Sequence, residues 1–244
     1  MKEEKKERGG WSRRQFLRGM GVRLVGVGAA ATVSAGSPVR AWAGEAPVRY
    51  GMVIDVNRCT GCHGCTIACL SENNVPDGYY RSWVKVVMKG RYPNVSTHFL
   101  PRLCNQCDDA PCLNLCPTGA TYRTADGVVH VNREVCVGCR ICVVACPYGS
   151  RFPNPITHTA DKCDFCYHRI TRGLQPACVD ACTGRARIFG NLNDPESEIA
   201  RYLEKHPTQR LRADLDTRPK VHYVHADESI MGPDYNRLME RRAS

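Results

Sequence analysis

The 244 residues carry 34 Lys and Arg against 24 Asp and Glu, for a formal charge of +10, with 16 cysteines, 21 glycines and 15 prolines. That composition excludes a collagen-like or wholly disordered chain. Val, Leu, Ile and Phe supply only about a fifth of the residues, at the edge of what builds an ordinary core, so the fold needs cross-links or inorganic centres.

Residues 1–43 read as a leader. Ser12-Arg13-Arg14-Gln15-Phe16-Leu17-Arg18 precedes a weakly apolar run, Leu24 to Ala35, and Ala41-Trp42-Ala43 offers a small-x-small cleavage site. This is the pattern of a removable signal peptide, and the paired arginines mark it as twin-arginine type. The apolar run is too short to cross a bilayer as a helix. Removing the leader takes away nine Lys/Arg and three Asp/Glu and leaves +4. No clustered basic face remains, so nucleic acid is set aside as a partner. Because the twin-arginine route exports folded proteins, thiols that travel this way are expected to be already occupied.

Tyr50 to Val56 reads as a strand, followed by a first cysteine group, Cys59-x2-Cys62-x2-Cys65-x3-Cys69. Trp83 to Met88 is an alternating strand candidate, expected outside the cysteine core. The second group is Cys104-x2-Cys107-x4-Cys112-x3-Cys116-Pro117. An Asp126-Gly127 turn leads into a strand at Val128 to Asn132, then a third group, Cys136-x2-Cys139-x2-Cys142-x3-Cys146-Pro147. The segments Ile54 to Arg58 and Val129 to Arg133 share one shape ahead of their cysteines, an internal repeat. The fourth group is Cys163-x2-Cys166-x11-Cys178-x3-Cys182. Ile188 to Leu192 is a short strand. Asp194-Pro195 is expected to start a helix to about Lys205, with Ile199, Tyr202 and Leu203 inward. Arg218 to His225 is a final strand, and 226–244 is expected to be mobile or docked on a partner.

The third group reproduces the bacterial ferredoxin run C-x2-C-x2-C-x3-C-P, and the first does so except that Leu70 replaces Pro. Three cysteines two apart wrap one corner of a cubane, and Gly61, Gly64 and Gly138 suit so tight a loop. The fourth, on a short helix, reaches a neighbouring cluster. Sixteen thiolates divide into four sets of four with none over. Zinc takes all-cysteine sets from two separated C-x2-C pairs, and disulfides need a geometry that cysteines two apart rarely reach. Both remain as alternatives, zinc in the form of a Cys-rich structural module; mixed [2Fe–2S] or [3Fe–4S] centres are a third.

From Tyr50 to Asp194 the pattern resembles the four-cluster ferredoxin family, the electron-transfer (beta) subunits of molybdopterin oxidoreductases. The resemblance rests on Phe99-Leu100-Pro101-Arg102-Leu103-Cys104-Asn105-Gln106-Cys107, Cys146-Pro147-Tyr148-Gly149, Ala160 to Cys166 and Leu174 to Gly190. It is nearest to the iron–sulfur subunits of tetrathionate and polysulfide reductases and those associated with nitrite reductases. It implies an α+β fold of two pseudo-symmetric ferredoxin-like halves, with inserted strands, over 44–193, and a C-terminal helix extension over 194–244 that packs on the domain or on a partner.

It also implies four [4Fe–4S] clusters: Cys59, Cys62, Cys65 and Cys182; Cys69, Cys163, Cys166 and Cys178; Cys104, Cys107, Cys112 and Cys146; and Cys116, Cys136, Cys139 and Cys142. The implied role is an electron relay without a catalytic site of its own, on the outer, periplasmic face of the inner membrane. Its partners would be a molybdopterin catalytic subunit and a multi-span membrane quinol-oxidising subunit, in a heterotrimer touching the membrane only through a partner. The same relay in a nitrite- or sulfite-linked complex is the alternative. Lys162, Arg151, Arg169, Arg185 and Arg187 are candidates for tuning cluster potentials, and His63 for donating to a sulfide.

Overall fold

The computed structural model describes residues 47–231. The leader expected at 1–43 and residues 232–244 of the expected tail lie outside the described residues. The start of that tail, 226–231, is not mobile or docked on a partner as expected. It packs on the main core through the buried Ala226 and Ile230, the latter on the helix Glu228–Met231.

The expected first strand runs over Tyr50–Asp55 (β1) and is central to a four-stranded sheet. On one side it pairs antiparallel with Arg187–Asn191 (β8), and on the other it pairs parallel with Val221–Val224 (β10). A short Thr208–Gln209 strand (β9) closes the edge. Successive side chains of a strand face opposite ways, which splits β1 between two cores. Met52 and Ile54 face the main core with Leu100, Leu103, Tyr223 and many of the cysteines. Val53 faces the other way, with Ile188, Val224 and the buried Ile199 of the helix Glu198–Lys205. Tyr202 and Leu203 pack there too. The segment after Asp194 therefore folds back on the strand that leads into the first cysteine group.

That helix starts later than expected. Asp194 does not cap it: its Oδ1 accepts from Glu196 N at 2.9 Å, building a local turn. Ser197 is the cap, extended in backbone, its Oγ accepting from Ala200 N at 3.2 Å.

The strand expected at Trp83 to Met88 is one arm of a long hairpin. Ser82–Arg91 (β2) pairs with Asn94–Leu103 (β3) in unbroken register from Ser82↔Leu103 to Arg91↔Asn94. Pro101 hides β3 in the sequence, because proline reads as a strand breaker. The hairpin is also not outside the cysteine core: Val84 and Pro101 at its base line the cavity of Cys59. Two further ladders are short, Thr121–Arg123 (β4) with Val129–Val131 (β5) and Arg151–Pro153 (β6) with Ala160–Lys162 (β7).

Four helical segments carry cysteines, but the fourth cysteine of a group lies on one only at Cys69; Cys116, Cys146 and Cys182 come just after short helices that hold the third. Gly64–Asn73, with Cys65 and Cys69, packs on Ala177–Asp180, with Cys178; Pro111–Asn114, with Cys112, packs on Ile141–Val144, with Cys142. Mixed helix and strand is thus the architecture, with the sheet as the wall against which the cysteine loops are laid.

Candidate metal centres

The loop before each of the helices Gly64–Asn73 and Ile141–Val144 repeats one conformation. Gly61 (φ 71°) and His63 (φ 59°) flank Cys62, and Gly138 (φ 67°) and Arg140 (φ 64°) flank Cys139. A non-glycine residue held left-handed costs roughly 1–2 kcal/mol, so His63 and Arg140 store strain where the thiols are presented. Only glycine fits at 138, where a Cβ would lie 2.4 Å from the His158 carbonyl oxygen.

These loops bring together cysteines far apart in sequence. One cavity is lined by Cys59, Cys62, Cys65 and Cys182, a second by Cys104, Cys107, Cys112 and Cys146, and a third by Cys116, Cys136, Cys139 and Cys142. The remaining four are also neighbours: Cys163 interacts electrostatically with Cys69, Cys178 and Cys166. Asn73 Nδ2 bridges Cys69 Sγ and Cys166 Sγ at 3.6 Å each. Among the described residues no three Cys, His, Asp or Glu converge as a single metal ion requires. A tetrahedral zinc site draws its sulfurs to about 2.3 Å from one centre. The thiols here stand around a space instead.

Burial and mutual repulsion decide the protonation of the thiols. Burial, then neighbouring thiols, pushes Cys107 up to about 12 and Cys146 up to about 11. Cys178 rises to about 11 despite Arg187, and burial carries the fully enclosed Cys163 well above the usual thiol range. At the surface the balance reverses. The Gly64 N–H, with Thr183 and Thr60, holds Cys62 below the usual range. At Cys116 burial opposes, and donors from Thr121 and Thr118 prevail. Ala186 N–H donates to Cys182 Sγ at 3.2 Å, Phe165 N–H to Cys163 Sγ at 3.4 Å and Thr121 N–H to Cys116 Sγ at 3.5 Å. Such donors favour thiolates and tune what the thiolates hold.

The interior is charged out of balance. Arg81, Arg102, Arg151, Lys162, Arg187 and Lys220 are buried, against Asp55 and Asp161 among the carboxylates. Buried cations in excess are costly unless anions meet them. Thiolate-bound iron–sulfur centres are anionic, and the donor sets, the cavities and this surplus all fit them.

The basic candidates sort by burial. Arg151 and Arg187 lie inside beside sulfurs. Lys162 is also inside, but its ammonium donates to the Val129 and Cys163 carbonyls. Arg169 pairs with Glu72 and Asp180 near the surface, and Arg185 is exposed. His63 is exposed at the mouth of the first cavity. Arg81 and Asn73 were not legible as site residues. Arg81 Nη1 donates to Asn73 Oδ1 at 2.9 Å, aiming the amide at Cys69 and Cys166, and is itself held by Asp161 at 2.7 Å. Both are isolated polar residues in sequence, and nothing in the spacing marks them.

Residues 95–192 match the family model described as a 4Fe-4S dicluster domain. The protein is 47% identical over 217 residues to Protein NrfC of Escherichia coli (strain K12), covering 88% of this sequence and 95% of that one. It is 43% identical over 228 residues to a tetrathionate reductase subunit of Salmonella typhimurium (strain LT2), covering 91% of each. It is 44% identical over 179 residues to a polysulfide reductase polypeptide of Wolinella succinogenes, covering 72% of this sequence and 94% of that one.

Proposed function

This protein belongs to the 4Fe-4S iron–sulfur electron-transfer subunits of multi-subunit oxidoreductases, and on that premise we propose that it holds four [4Fe–4S] clusters, one per cysteine set, and relays electrons within a periplasmic respiratory reductase. Its partners on this reading are a membrane quinol-oxidising subunit and a molybdopterin catalytic subunit, and the reductase is of the tetrathionate or polysulfide type. The same relay in a nitrite- or sulfite-linked complex is the second reading, on the sequence resemblance described above. The observation that carries the proposal is the trio of cavities, each lined by four thiols drawn from distant parts of the sequence. When bound, such a cluster takes up and gives back one electron, at a potential set by its surroundings.

The residues arrange the sets in a row. Cys65 and Cys69 share one helix, Gly64–Asn73, which links the first set to the second. Gln106 Nε2 donates to the Cys163 carbonyl at 2.7 Å, tying the second set to the loop of the third. Packing of Pro111–Asn114 on Ile141–Val144 joins the third to the fourth. Cys62 and Cys139 are the exposed cysteines of the terminal sets, and between them lie buried ones. With clusters held by these sets, Cys62 and Cys139 would mark the edges at which electrons enter and leave. The shared loop conformation around Cys62 and Cys139 supports two pseudo-symmetric halves. Twin-arginine export would place the folded protein on the outer face of the inner membrane.

The test is anaerobic preparation of the full chain with and without its partners. About 16 irons with equal sulfide per chain, and signals reduced by quinol only when the membrane partner is present, are expected. Stoichiometric zinc without iron overturns the cluster assignment. Iron without quinol-dependent reduction in the complex overturns the partner assignment.

A further inference from the structure

Arg187 opens β8 with its guanidinium buried among sulfurs. Nη2 donates to Cys65 Sγ at 3.5 Å and to Ser82 Oγ at 2.8 Å, and Nη1 approaches Cys178 Sγ at 3.7 Å. Its Nε is buried without a hydrogen-bond partner, and among the described residues no carboxylate forms an ion pair with it. Cys65 belongs to the first set and Cys178 to the second, so one side chain touches both.

Arg151 repeats the arrangement in the other pair. It opens β6 five residues after Cys146, as Arg187 stands five residues after Cys182. It is equally buried, at 3% exposure for each. Nη1 donates to Thr121 Oγ1 at 3.1 Å, and Nη2 is buried without a hydrogen-bond partner. It lines the cavity of the third set, with Cys104, Cys107, Cys112 and Cys146, and interacts electrostatically with Cys112 and Cys104 of that set and with Cys142 of the fourth. Each arginine thus lies at the seam of two sets, with an anchoring hydroxyl and, among the described residues, no carboxylate ion-pair partner.

A guanidinium keeps its charge at any relevant pH, and its planar fork presents donors in two directions at once, which an ammonium on a flexible stem does not. A fixed positive charge shared between two centres stabilises an added electron on either. We propose that Arg187 and Arg151 are equivalent inter-cluster bridges, each one guanidinium held between two neighbouring clusters and raising the reduction potential of both members of its pair. They act as positioning residues, through the thiolates. The proposal rests on the cluster assignment above.

The experiment is EPR-monitored potentiometry on the full chain in its complex, comparing wild type, Arg187→Gln, Arg187→Lys and Arg151→Gln, with iron counted in each. Arg187→Gln should lower the potentials of two clusters, each at least tenfold in the reduction equilibrium, about 59 mV for one electron, and leave the other two in place. Arg151→Gln should shift the complementary pair. Arg187→Lys keeps the charge and should recover more than half of the shift in at least one cluster of the pair. A shift of one cluster only, of all four equally, or of none at normal iron content overturns the bridge. Should Arg187→Gln lose iron, Arg151→Gln and Arg187→Lys decide: unchanged potentials in the first, or full loss of the pair's potentials in the second, refutes it. Wild type without its full iron fails the cluster assignment instead.

Discussion

Gly138 and Gly119 make a matched pair for testing how closely the cysteine loops are packed. Both are left-handed, at φ 67° and 66°. A methyl at Gly119 meets nothing within 4 Å, whereas one at Gly138 would lie 2.4 Å from the His158 carbonyl oxygen. Ala at either site takes on the left-handed penalty of about 1–2 kcal/mol. At Gly138 the backbone must also retreat by about 0.6 Å merely to reach 3.0 Å, beyond the ~0.5 Å tolerance of a preorganised site. Overpacking of this kind adds about 1–3 kcal/mol. Gly119→Ala should therefore lower the thermal midpoint by about 2–4 °C per kcal/mol lost, with iron unchanged. Gly138→Ala should lose about 3 kcal/mol, roughly 6–12 °C on the same scale. Because Gly138 separates Cys136 from Cys139, it should also lose about four irons, those of one cube. Scanning calorimetry and iron analysis on the two variants read this directly. Equal losses, or full iron in Gly138→Ala, would show that the approach to His158 does not hold the loop.

His222 gives a pH dependence distinct from the cysteines. Burial, then Arg210 and Arg49, lowers it to about 4. Its folded pKa lies below its unfolded one near 6.5, so its contribution is complete above that value and is lost as pH falls from there toward 4. Wild type should lose about 2 kcal/mol relative to His222→Gln between pH 7 and pH 5, read as converging thermal midpoints; parallel curves refute it. The leader makes a separate prediction: replacing Arg13 and Arg14 together by Lys should leave the protein in the cytoplasm with its iron loaded, and unimpaired export would remove the twin-arginine reading.

The local features were the legible ones. Cysteine spacing and the glycines within it specify tight loops, because a Cys-x2-Cys turn is decided by a handful of neighbouring dihedrals. The strand at Tyr50–Asp55 and the inward face of Ile199, Tyr202 and Leu203 also follow from periodicity, which local sequence carries. The start of that helix did not: Asp194 and Ser197 are both good caps, and only the turn that Asp194 closes on Glu196 chooses between them. Pro101 concealed β3, since its ladder with Val84 depends on a partner strand the local sequence does not contain.

The sequence by itself determined that sixteen thiols come in four groups able to grip iron–sulfur centres, and which relatives the protein resembles. Tertiary structure decided that β1 lies between β8 and β10, more than a hundred residues away in sequence. It also decided which basic residues reach the sulfurs. Arg151 and Arg187 go inside while Arg185, two residues before Arg187, stays in solvent. Burial of a charge is settled by everything packed around it, here sulfurs brought from distant loops, so no local pattern could announce those two sites.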